Sequence, residues 1–390
     1  MHSIIHQNLF TTIEANNIPI KSAAISYLPD RLLTNEEYSK QLFCDNFCQN
    51  KPYALALLKT HIGNILNISI PMFESDLYLN PKSTIKHIEA AILKASEMDA
   101  KAVTLTGLLP SASNHGKELF KNDIEPSSKI MTGHDITHVA ILLTLEKCLN
   151  ITHRNLAQET VGFLGLGAIG TQILQIIMRH YQHPKKVILC DLYINKEKMQ
   201  ILAISLREHY NFTGEILIVD SHGIIPEAFY SSTLIIGASN VPDVIDVQKL
   251  QFGTIIIDDS APPALSLEDA RCRFEKQHDI LYIEAGLLRA PYPIQQIISL
   301  PKGLDVPLFK NDDESCFEIA GCILSGLVTD LKQNQQSFKE NYDHLQKLGF
   351  SSPRFQFHGY FHEKKPAFHA FVKDHQHRTF SSDLNEFCQK

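Results

Sequence analysis

Short runs of β-branched and other apolar residues alternate with helical patterns across residues 160–286. A strand, a crossover helix and a further strand, repeated in this way, are typical of a parallel sheet with helices on both faces. Six runs are present, which is enough for a complete doubly wound sheet. The runs are 161–164, 187–191, 215–219, 233–237, 254–258 and 280–284. The sequence therefore predicts an α/β protein with a doubly wound parallel sheet in its central domain.

A glycine-rich segment directly follows the first run and opens an apolar helix. The segment consists of Gly165, Leu166, Gly167, Ala168, Ile169 and Gly170. The first glycine permits a tight turn, the second lets the backbone approach a pyrophosphate, and the third lets helix and strand pack closely. The N–H groups and the dipole at the helix start favour a bound phosphate. We therefore expect a Rossmann dinucleotide domain, with an ordinary strand-to-helix turn as the alternative.

Asp191, at the end of the second run, lies 21 residues after the last glycine of this segment. A carboxylate there accepts hydrogen bonds from the adenosine ribose and repels a 2′-phosphate, so we expect NADH in preference to NADPH. The ligand of an open α/β sheet crosses the carboxyl ends of the strands. Ala238 and Ser239, after the fourth run, are therefore predicted to line the nicotinamide half. Asp259 and Ser260, after the fifth run, are candidates either for catalysis or for ordinary turn positions.

The segments on either side of the Rossmann domain predict a second, smaller α/β domain that is completed by C-terminal helices. Residues 65–70 and 103–106 have strand character, and residues 84–98 repeat apolar side chains at helical spacing. A long helix is expected over 312–333. The predicted division is an N-terminal α/β substrate domain at 1–130, the Rossmann domain at 131–305, a helix bearing Cys316 that packs back on the N-terminal domain at 306–335, and a C-terminal extension at 336–390.

The composition is that of an ordinary globular protein, with 44% hydrophobic and 20% charged residues. A net charge of −7 without a basic run argues against nucleic acid or an anionic membrane surface as the main partner. No segment approaches the roughly 20 apolar residues that cross a bilayer. We therefore expect a cytoplasmic protein without membrane insertion. Its eight scattered cysteines are expected to be reduced, no metal site is predicted, and oligomer formation stays open.

Cys316 is the candidate nucleophile, because it lies in the predicted first turn of the helix over 312–333. Partial positive charge at a helix N-terminus lowers the pKa of a thiol and favours the reactive thiolate. Asp312, Asp313 and Glu314 are close in sequence, and they would raise that pKa if they faced the sulfur. A buried, inert thiol is the alternative.

The order of these elements resembles that of the long-chain acyl-acyl-carrier-protein reductases of cyanobacteria, over residues 65–350. The elements in common are the helix, strand and glycine loop of 85–107, the helix led by Thr132, the Rossmann turn, the segments 255–263 and 282–286, and the pair Cys316 and Phe317. The resemblance implies that Cys316 takes an acyl group from an acyl-carrier protein or acyl-CoA, and that hydride from the nicotinamide then releases an aldehyde. It also implies NADPH, against the NADH that Asp191 indicates.

Two other functions stay open on the sequence. The first is an NAD(P)-dependent dehydrogenase of a small polar acid or amino acid, of the shikimate or ornithine-cyclodeaminase type, although no convincing Lys–Asp pair or Arg clamp is evident in the N-terminal domain. The second is a non-catalytic nucleotide-binding protein in which Cys316 is inert. A loop with Ser113 and His115 is a candidate either for proton transfer or for a solvated loop. The Phe- and His-rich residues 355–377 suggest no function.

Overall fold

The computed structural model describes residues 2–30, 40–46, 48–121, 126–300, 315–329 and 337–376. The chain forms two compact units. Unit 1 comprises Met1–Thr137 and Leu288–Ser351, and unit 2 comprises His138–Leu287 and Ser352–Lys390. The chain therefore returns to unit 1 at 288, whereas the sequence predicted a boundary at 305. The predicted extension 336–390 is divided between the two units.

The strands and helices of the described residues are numbered in chain order. The strands are β1 His2–Ile5, β2 Ser22–Leu28, β3 Tyr53–Thr60, β4 Gly63–Phe73, β5 Ala102–Leu105, β6 Lys129–Met131, β7 Thr160–Leu164, β8 Lys186–Leu192, β9 Glu215–Ser221, β10 Leu234–Gly237, β11 Thr254–Asp258, β12 Ile280–Glu284, β13 Leu287–Arg289, β14 Gln295–Ser299, β15 Glu318–Ala320, β16 Gln356–Phe357 and β17 Tyr360–Phe361. The α-helices are α1 Leu9–Ala15, α2 Lys40–Asn46, α3 Pro81–Glu97, α4 Leu109–Ala112, α5 His134–Ile151, α6 Ala168–His180, α7 Lys196–Glu208, α8 Leu267–Gln277, α9 Gly321–Val328, α10 Phe338–Lys347 and α11 Pro366–Asp374.

Unit 1 is built on a seven-stranded mixed sheet in the order β1-β14-β3-β4-β2-β5-β6. β3 pairs antiparallel with β14 and with β4, and the other neighbours are parallel. α3 packs on β4 and β2. It begins at Pro81 because Asn80 accepts a hydrogen bond from the N–H of Ser83. Its buried apolar residues recur at helical spacing and are Ile88, Ala91, Ile92 and Ala95.

α9 packs closely on β2, β4 and β5 of unit 1, and glycines make this approach possible. A Cβ atom at Gly326 would lie 2.8 Å from the Cβ of Ser22. Before α5, a Cβ at Gly133 would lie 2.8 Å from the Cα of Cys322, at the start of α9. Any larger residue at these two positions would push the helix away from its neighbours.

Unit 2 confirms the predicted doubly wound sheet. Its six strands are all parallel and lie in the order β12-β11-β10-β7-β8-β9. Counted along the chain from β7, this is the Rossmann strand order. Every residue of β7 and β11 is buried, as is typical of parallel strands with helices on both faces. The order reverses between β7 and β10, which is where such sheets bind their ligands.

Residues 352–376 belong to unit 2 and complete its core. The hairpin of β16 and β17 packs against β12, and α11 packs against α8 and β12. His362 is fully buried there, with its Nε2 2.9 Å from the carbonyl oxygen of Tyr282. Burial lowers the pKa of His362 to about 3, so the ring is neutral. The rings around His362 are Phe274, Phe355, Phe357 and Phe368. The Phe- and His-rich composition therefore reflects an aromatic core.

The long helix predicted over 312–333 is wrong in the part that the structure describes. Cys316 lies in a short 3₁₀ turn, Ser315–Phe317, and α9 begins only after the intervening β15. The carbonyl oxygens of Cys316 and Phe317 accept hydrogen bonds from the N–H groups of Ile294 and Ala290, both at 2.7 Å. These tertiary bonds use the carbonyls that a continuous helix would need. Asp312, Asp313 and Glu314 lie outside the described residues.

Candidate functional site

The predicted phosphate turn lies between β7 and α6, and its first position requires glycine. Gly165 has a φ of +83°, and a Cβ there would lie 2.5 Å from the carbonyl oxygen of Ala238. Glycine adopts this left-handed conformation without steric penalty and leaves room for the loop after β10. The fold therefore brings together Gly165 and Ala238, two of the residues that the sequence assigned to the cofactor site.

The second glycine of the turn faces open space. Gly167 is exposed, and no atom lies within 4 Å of the place that a Cβ would occupy. Gly167 is also the N-cap of α6, which has no side-chain cap, and Ala168 and Ile169 form the first turn. N–H groups in a first helical turn have no intrahelical partner. The turn thus offers both space and donors for an anion, which fits the pyrophosphate of a dinucleotide.

Asp191, at the end of β8, holds this turn in place. Its Oδ2 accepts a hydrogen bond from the N–H of Leu166 at 2.7 Å. Its Oδ1 accepts from the N–H of Leu192 at 2.7 Å and from Nδ2 of Asn195 at 3.0 Å. Lys198 adds a cation, because its Nζ donates to the carbonyl oxygen of Leu166 at 2.5 Å. Lys198 was not among the site residues that the sequence indicated.

Ala238 and Ser239 lie at the carboxyl edge of the sheet, directly after β10. The N–H of Ala238 donates to the carbonyl oxygen of Leu164 at 2.8 Å. The N–H of Ser239 donates to Oγ of Ser260 at 2.9 Å. The loop after β10 is therefore tied both to the strand before the phosphate turn and to the loop after β11.

Three carboxyl groups lie at the same edge, where β11 and β12 end. Asp258 is only 2% exposed, and its oxygens accept hydrogen bonds from the N–H groups of Ser260 at 3.1 Å and Ala264 at 2.9 Å. Glu284 is the register partner of Asp258. Asp259 keeps part of its surface exposed. Burial, and then the charges of Asp258 and Glu284, nevertheless raise the pKa of its carboxyl well above the ordinary value.

Tyr282 and His358 contact these carboxyl groups. The hydroxyl of Tyr282 donates to Oδ2 of Asp258 at 3.4 Å, and burial followed by the nearby carboxylates raises the pKa of Tyr282. The N–H of His358, in the β16–β17 turn, donates to Oε2 of Glu284 at 3.1 Å. No sequence pattern had indicated Tyr282, Glu284 or His358 as a site residue. The one feature of the sequence that could have pointed to this site is Glu284, a glutamate that ends the sixth apolar run.

Cys316 belongs to unit 1, where it is 6% exposed. It lies in a short 3₁₀ turn and not at the helix N-terminus that the sequence predicted. Arg289 packs on the residue that follows Cys316 in the chain. Its guanidinium lies 4.6 Å from the ring centre of Phe317. Nη1 of Arg289 is buried and makes no hydrogen bond within the described ranges. Such an unsatisfied buried donor is uncommon in native proteins.

Among the described residues, no three His, Cys, Asp or Glu side chains are arranged to hold a metal ion. No helix in the described part of the chain is both long and apolar enough to cross a bilayer. No disulfide joins the seven cysteines that the structure describes.

The strand order and the turn define unit 2 as a Rossmann-type domain. No protein-family model and no curated protein sequence matches the chain. Among solved structures, it is similar to L-tryptophan dehydrogenase from Nostoc punctiforme, with 13% identity, a TM-score of 0.40, and coverage of 92% of this chain and 88% of that chain. It is also similar to 5-ketofructose reductase of Gluconobacter sp. strain CHM43, with 12% identity, a TM-score of 0.35, and coverage of 84% of this chain and 99% of that chain.

A third similarity is to the Thermococcus litoralis Δ1-pyrroline-2-carboxylate reductase that was solved with NADH and L-proline. The identity is 17%, the TM-score is 0.26, and the match covers 35% of this chain and 40% of that chain. The chain thus spans two fifths of the length of that reductase. At these identities and TM-scores the similarities assign no activity to this chain.

Proposed function

We propose that the protein is an NAD(P)-dependent oxidoreductase. The observation that carries this proposal is the turn after β7, where Gly165 is left-handed, Gly167 faces open space and the start of α6 has no side-chain cap. Bound there, a nicotinamide dinucleotide supplies a hydride acceptor or donor. In this proposal the N–H groups of residues 167–169 bind the pyrophosphate. The carboxyl edge of β10, β11 and β12 receives the reacting half.

Within this class, we propose a dehydrogenase of a small polar acid or amino acid. Hydride transfer at a carbon that bears oxygen or nitrogen requires that a proton also leaves or joins the substrate. Asp259 can hold that proton, since it is partly exposed and its pKa is raised. Asp258, which accepts two backbone N–H bonds, is fixed in place. Neighbouring carboxyl groups in different environments commonly divide acid and base roles in this way.

Cofactor binding is the first test of the proposal. The full chain is titrated with NAD⁺, NADH, NADP⁺ and NADPH by calorimetry, beside the variant Gly167→Val. A Cβ at this position has no protein atom within 4 Å, so we expect a valine side chain to fill the space for the pyrophosphate while the fold is kept. We expect the parent to bind at least one of the four nucleotides, and the variant to bind none with an unchanged Tm. A parent that binds none of the four would overturn the proposal.

Turnover is the second test. The parent, Asp259→Asn and Asp243→Asn are assayed with a panel of 2-hydroxy acids, 2-amino acids and their oxo counterparts, and the nicotinamide absorbance is followed. Asp243 is an exposed carboxylate in the loop after β10, so it is a matched control for the change in charge. We expect Asp259→Asn alone to lower kcat while both variants still bind cofactor. Binding without turnover of any substrate would instead support the non-catalytic alternative.

A second candidate function is the reduction of an acyl thioester to an aldehyde, with an acyl-carrier protein or acyl-CoA as the substrate and NADPH as an alternative to NADH. It is favoured by Arg289, whose buried Nη1 has no hydrogen bond in the described residues and whose guanidinium lies on the side chain next to Cys316. The Sγ of Cys316 would attack the thioester carbonyl and the carrier thiolate would leave. Hydride would then add to the acyl carbon, and the C–S bond would break to release the aldehyde.

Intact-protein mass spectrometry separates this candidate from the dehydrogenase. The parent, Cys316→Ala and Cys322→Ala are incubated with palmitoyl-CoA in the absence of reductant. Cys322, at the start of α9, is the matched control because it is the more exposed of the two thiols. The candidate predicts an acyl adduct that is lost only in Cys316→Ala. No adduct on the parent would exclude the thioester reaction and leave the dehydrogenase proposal intact.

A further inference from the structure

The carboxylate that the sequence assigned to the ribose is already occupied by donors of the protein itself. Asp191 accepts hydrogen bonds from the N–H groups of Leu166 and Leu192 and from the side chain of Asn195. A carboxylate has about four acceptor positions, and three of them are in use here. Asp191 therefore braces the phosphate turn against β8, and its charge is offset by three fixed dipoles.

Lysine side chains supply positive charge at the same end of the sheet. Lys198 is exposed, and its Nζ donates one hydrogen bond to the carbonyl oxygen of Leu166. An ammonium group has three N–H donors, so further donors remain for a ligand. Lys196 pairs with Asp220, with Nζ and Oδ1 3.3 Å apart. Two carboxylates are thus accompanied by two lysines, and this end is less acidic than Asp191 alone indicates.

We propose that Lys198 recognises a 2′-phosphate on the adenosine ribose, so that the chain binds NADPH more tightly than NADH. The inference rests on the proposed dinucleotide site. In a Rossmann domain the end of the second strand flanks the adenosine ribose, and Asp191 is that position here. Leu166 links the two side chains. Its N–H donates a hydrogen bond to Asp191, and its carbonyl oxygen accepts one from Lys198. Asp191 is then a positioning residue, and Lys198 is the residue that contacts the phosphate.

Two nucleotides that differ only in the 2′-phosphate test this inference without any substrate. Adenosine 2′,5′-bisphosphate and adenosine 5′-monophosphate are titrated into the full chain, Lys198→Met and Lys276→Met by calorimetry. Lys276 is an exposed lysine on α8, so its variant has the same change in net charge. We expect the parent to bind the bisphosphate about tenfold more tightly or better, as one charge-assisted hydrogen bond supplies. Lys198→Met should abolish that preference and leave binding of the monophosphate within about twofold, and Lys276→Met should change neither.

The remaining outcomes are distinct from one another. A parent that binds the monophosphate as tightly as the bisphosphate overturns the inference alone. Equal weakening of both nucleotides in Lys198→Met also overturns it, because Lys198 would then act only through the turn. A parent that binds neither nucleotide overturns the inference together with the proposed cofactor site.

Asp191→Asn tests the role of the carboxylate. The amide keeps the size of the side chain but loses an acceptor for the N–H groups that hold the turn, so we expect both nucleotides to bind more weakly by a similar factor. A selective gain for the bisphosphate would show that Asp191 repels a 2′-phosphate in this chain, and would overturn the inference.

Discussion

The carbonyl oxygen of Gly165 occupies the space of a side chain at Gly170, so that any Cβ at position 170 would overlap it. The phosphate turn and the first turn of α6 are therefore packed directly on each other. We expect Gly170→Ala to lose about 1–3 kcal/mol of stability, as overpacked sites do, and to lose cofactor binding as well. Urea unfolding and nucleotide titration measure the two effects. Gly167→Val should lose binding alone, and an equal loss of stability in both variants would contradict this account.

The raised pKa of Asp259 gives a defined sign to the pH dependence of stability. The folded chain holds this proton more tightly than the unfolded chain, in which the pKa is near its ordinary value of 3.8. The contribution of Asp259 is therefore complete below that value and is lost as the pH rises through the folded pKa. We expect Asp259→Asn, which stays neutral, to be more stable than the parent at pH 7. The difference should shrink towards pH 4 in urea unfolding, about where a free carboxyl titrates.

Asp243→Asn is the control for this measurement, because it removes an exposed carboxylate from the neighbouring loop. At pH 7 its stability should stay within about 0.5 kcal/mol of that of the parent, as is usual for exposed substitutions. A difference between Asp259→Asn and the parent that is constant with pH would show that Asp259 is charged in the folded chain.

His362 has the opposite pH dependence. Burial lowers its pKa from 6.5 to about 3, so the folded chain holds the ring neutral. The stability that this residue contributes is complete above pH 6.5 and is lost as the pH falls towards 3. His362→Phe cannot take up a proton, so we expect its stability to fall less steeply with pH over that interval. At neutral pH it should lose about 1 kcal/mol, for the hydrogen bond to the carbonyl of Tyr282. Parallel pH profiles of variant and parent would contradict the assignment.

The stability of unit 2 is expected to fall when either partner of a buried ion pair is removed. Arg154 donates from Nε and Nη2 to the carboxylate of Glu159, at 2.8 and 2.5 Å, and from Nη1 to the carbonyl oxygen of Gly253. Both side chains are buried. Arg154→Met leaves a buried carboxylate without its cation, which costs about 3–5 kcal/mol in comparable pairs. Chemical unfolding should show that adding Glu159→Gln recovers part of the loss. No recovery in the double variant would argue against an uncompensated charge as the cause.

The sheet of unit 2 could be predicted because its signals are local. The strands β7, β8, β10, β11 and β12 each contain a continuous buried run, since both faces of a parallel sheet are covered. Gly170 is required by the carbonyl oxygen of Gly165, five residues earlier, and the left-handed φ of Gly165 is itself a local feature of the turn. The prediction of a helix around Cys316 was wrong because the structure there depends on contacts that are distant in sequence. The carbonyl oxygens of Cys316 and Phe317 accept hydrogen bonds from N–H groups that lie more than twenty residues earlier in the chain, at Ile294 and Ala290.

The chemistry at the carboxyl edge depends on pairing that no local pattern contains. Asp258 and Glu284 become neighbours only once β11 and β12 are in register. Lys198 reaches the phosphate turn only after α7 has folded back beside β8. His362 meets Tyr282 across 80 residues of chain, so a Phe- and His-rich segment gave no indication that it was a core.

The hairpin of β16 and β17 also sets the order in which the chain can complete its core during synthesis. β12 emerges first, and the 64 residues of Leu288–Ser351, all of unit 1, must be made before the residues that cover it. At ribosomal rates of about 5–20 residues per second, several seconds pass between the synthesis of Tyr282 and that of the aromatic residues that cover it. Unit 2 therefore begins to form before unit 1 is complete, yet it can be finished only after the whole of unit 1 has left the ribosome.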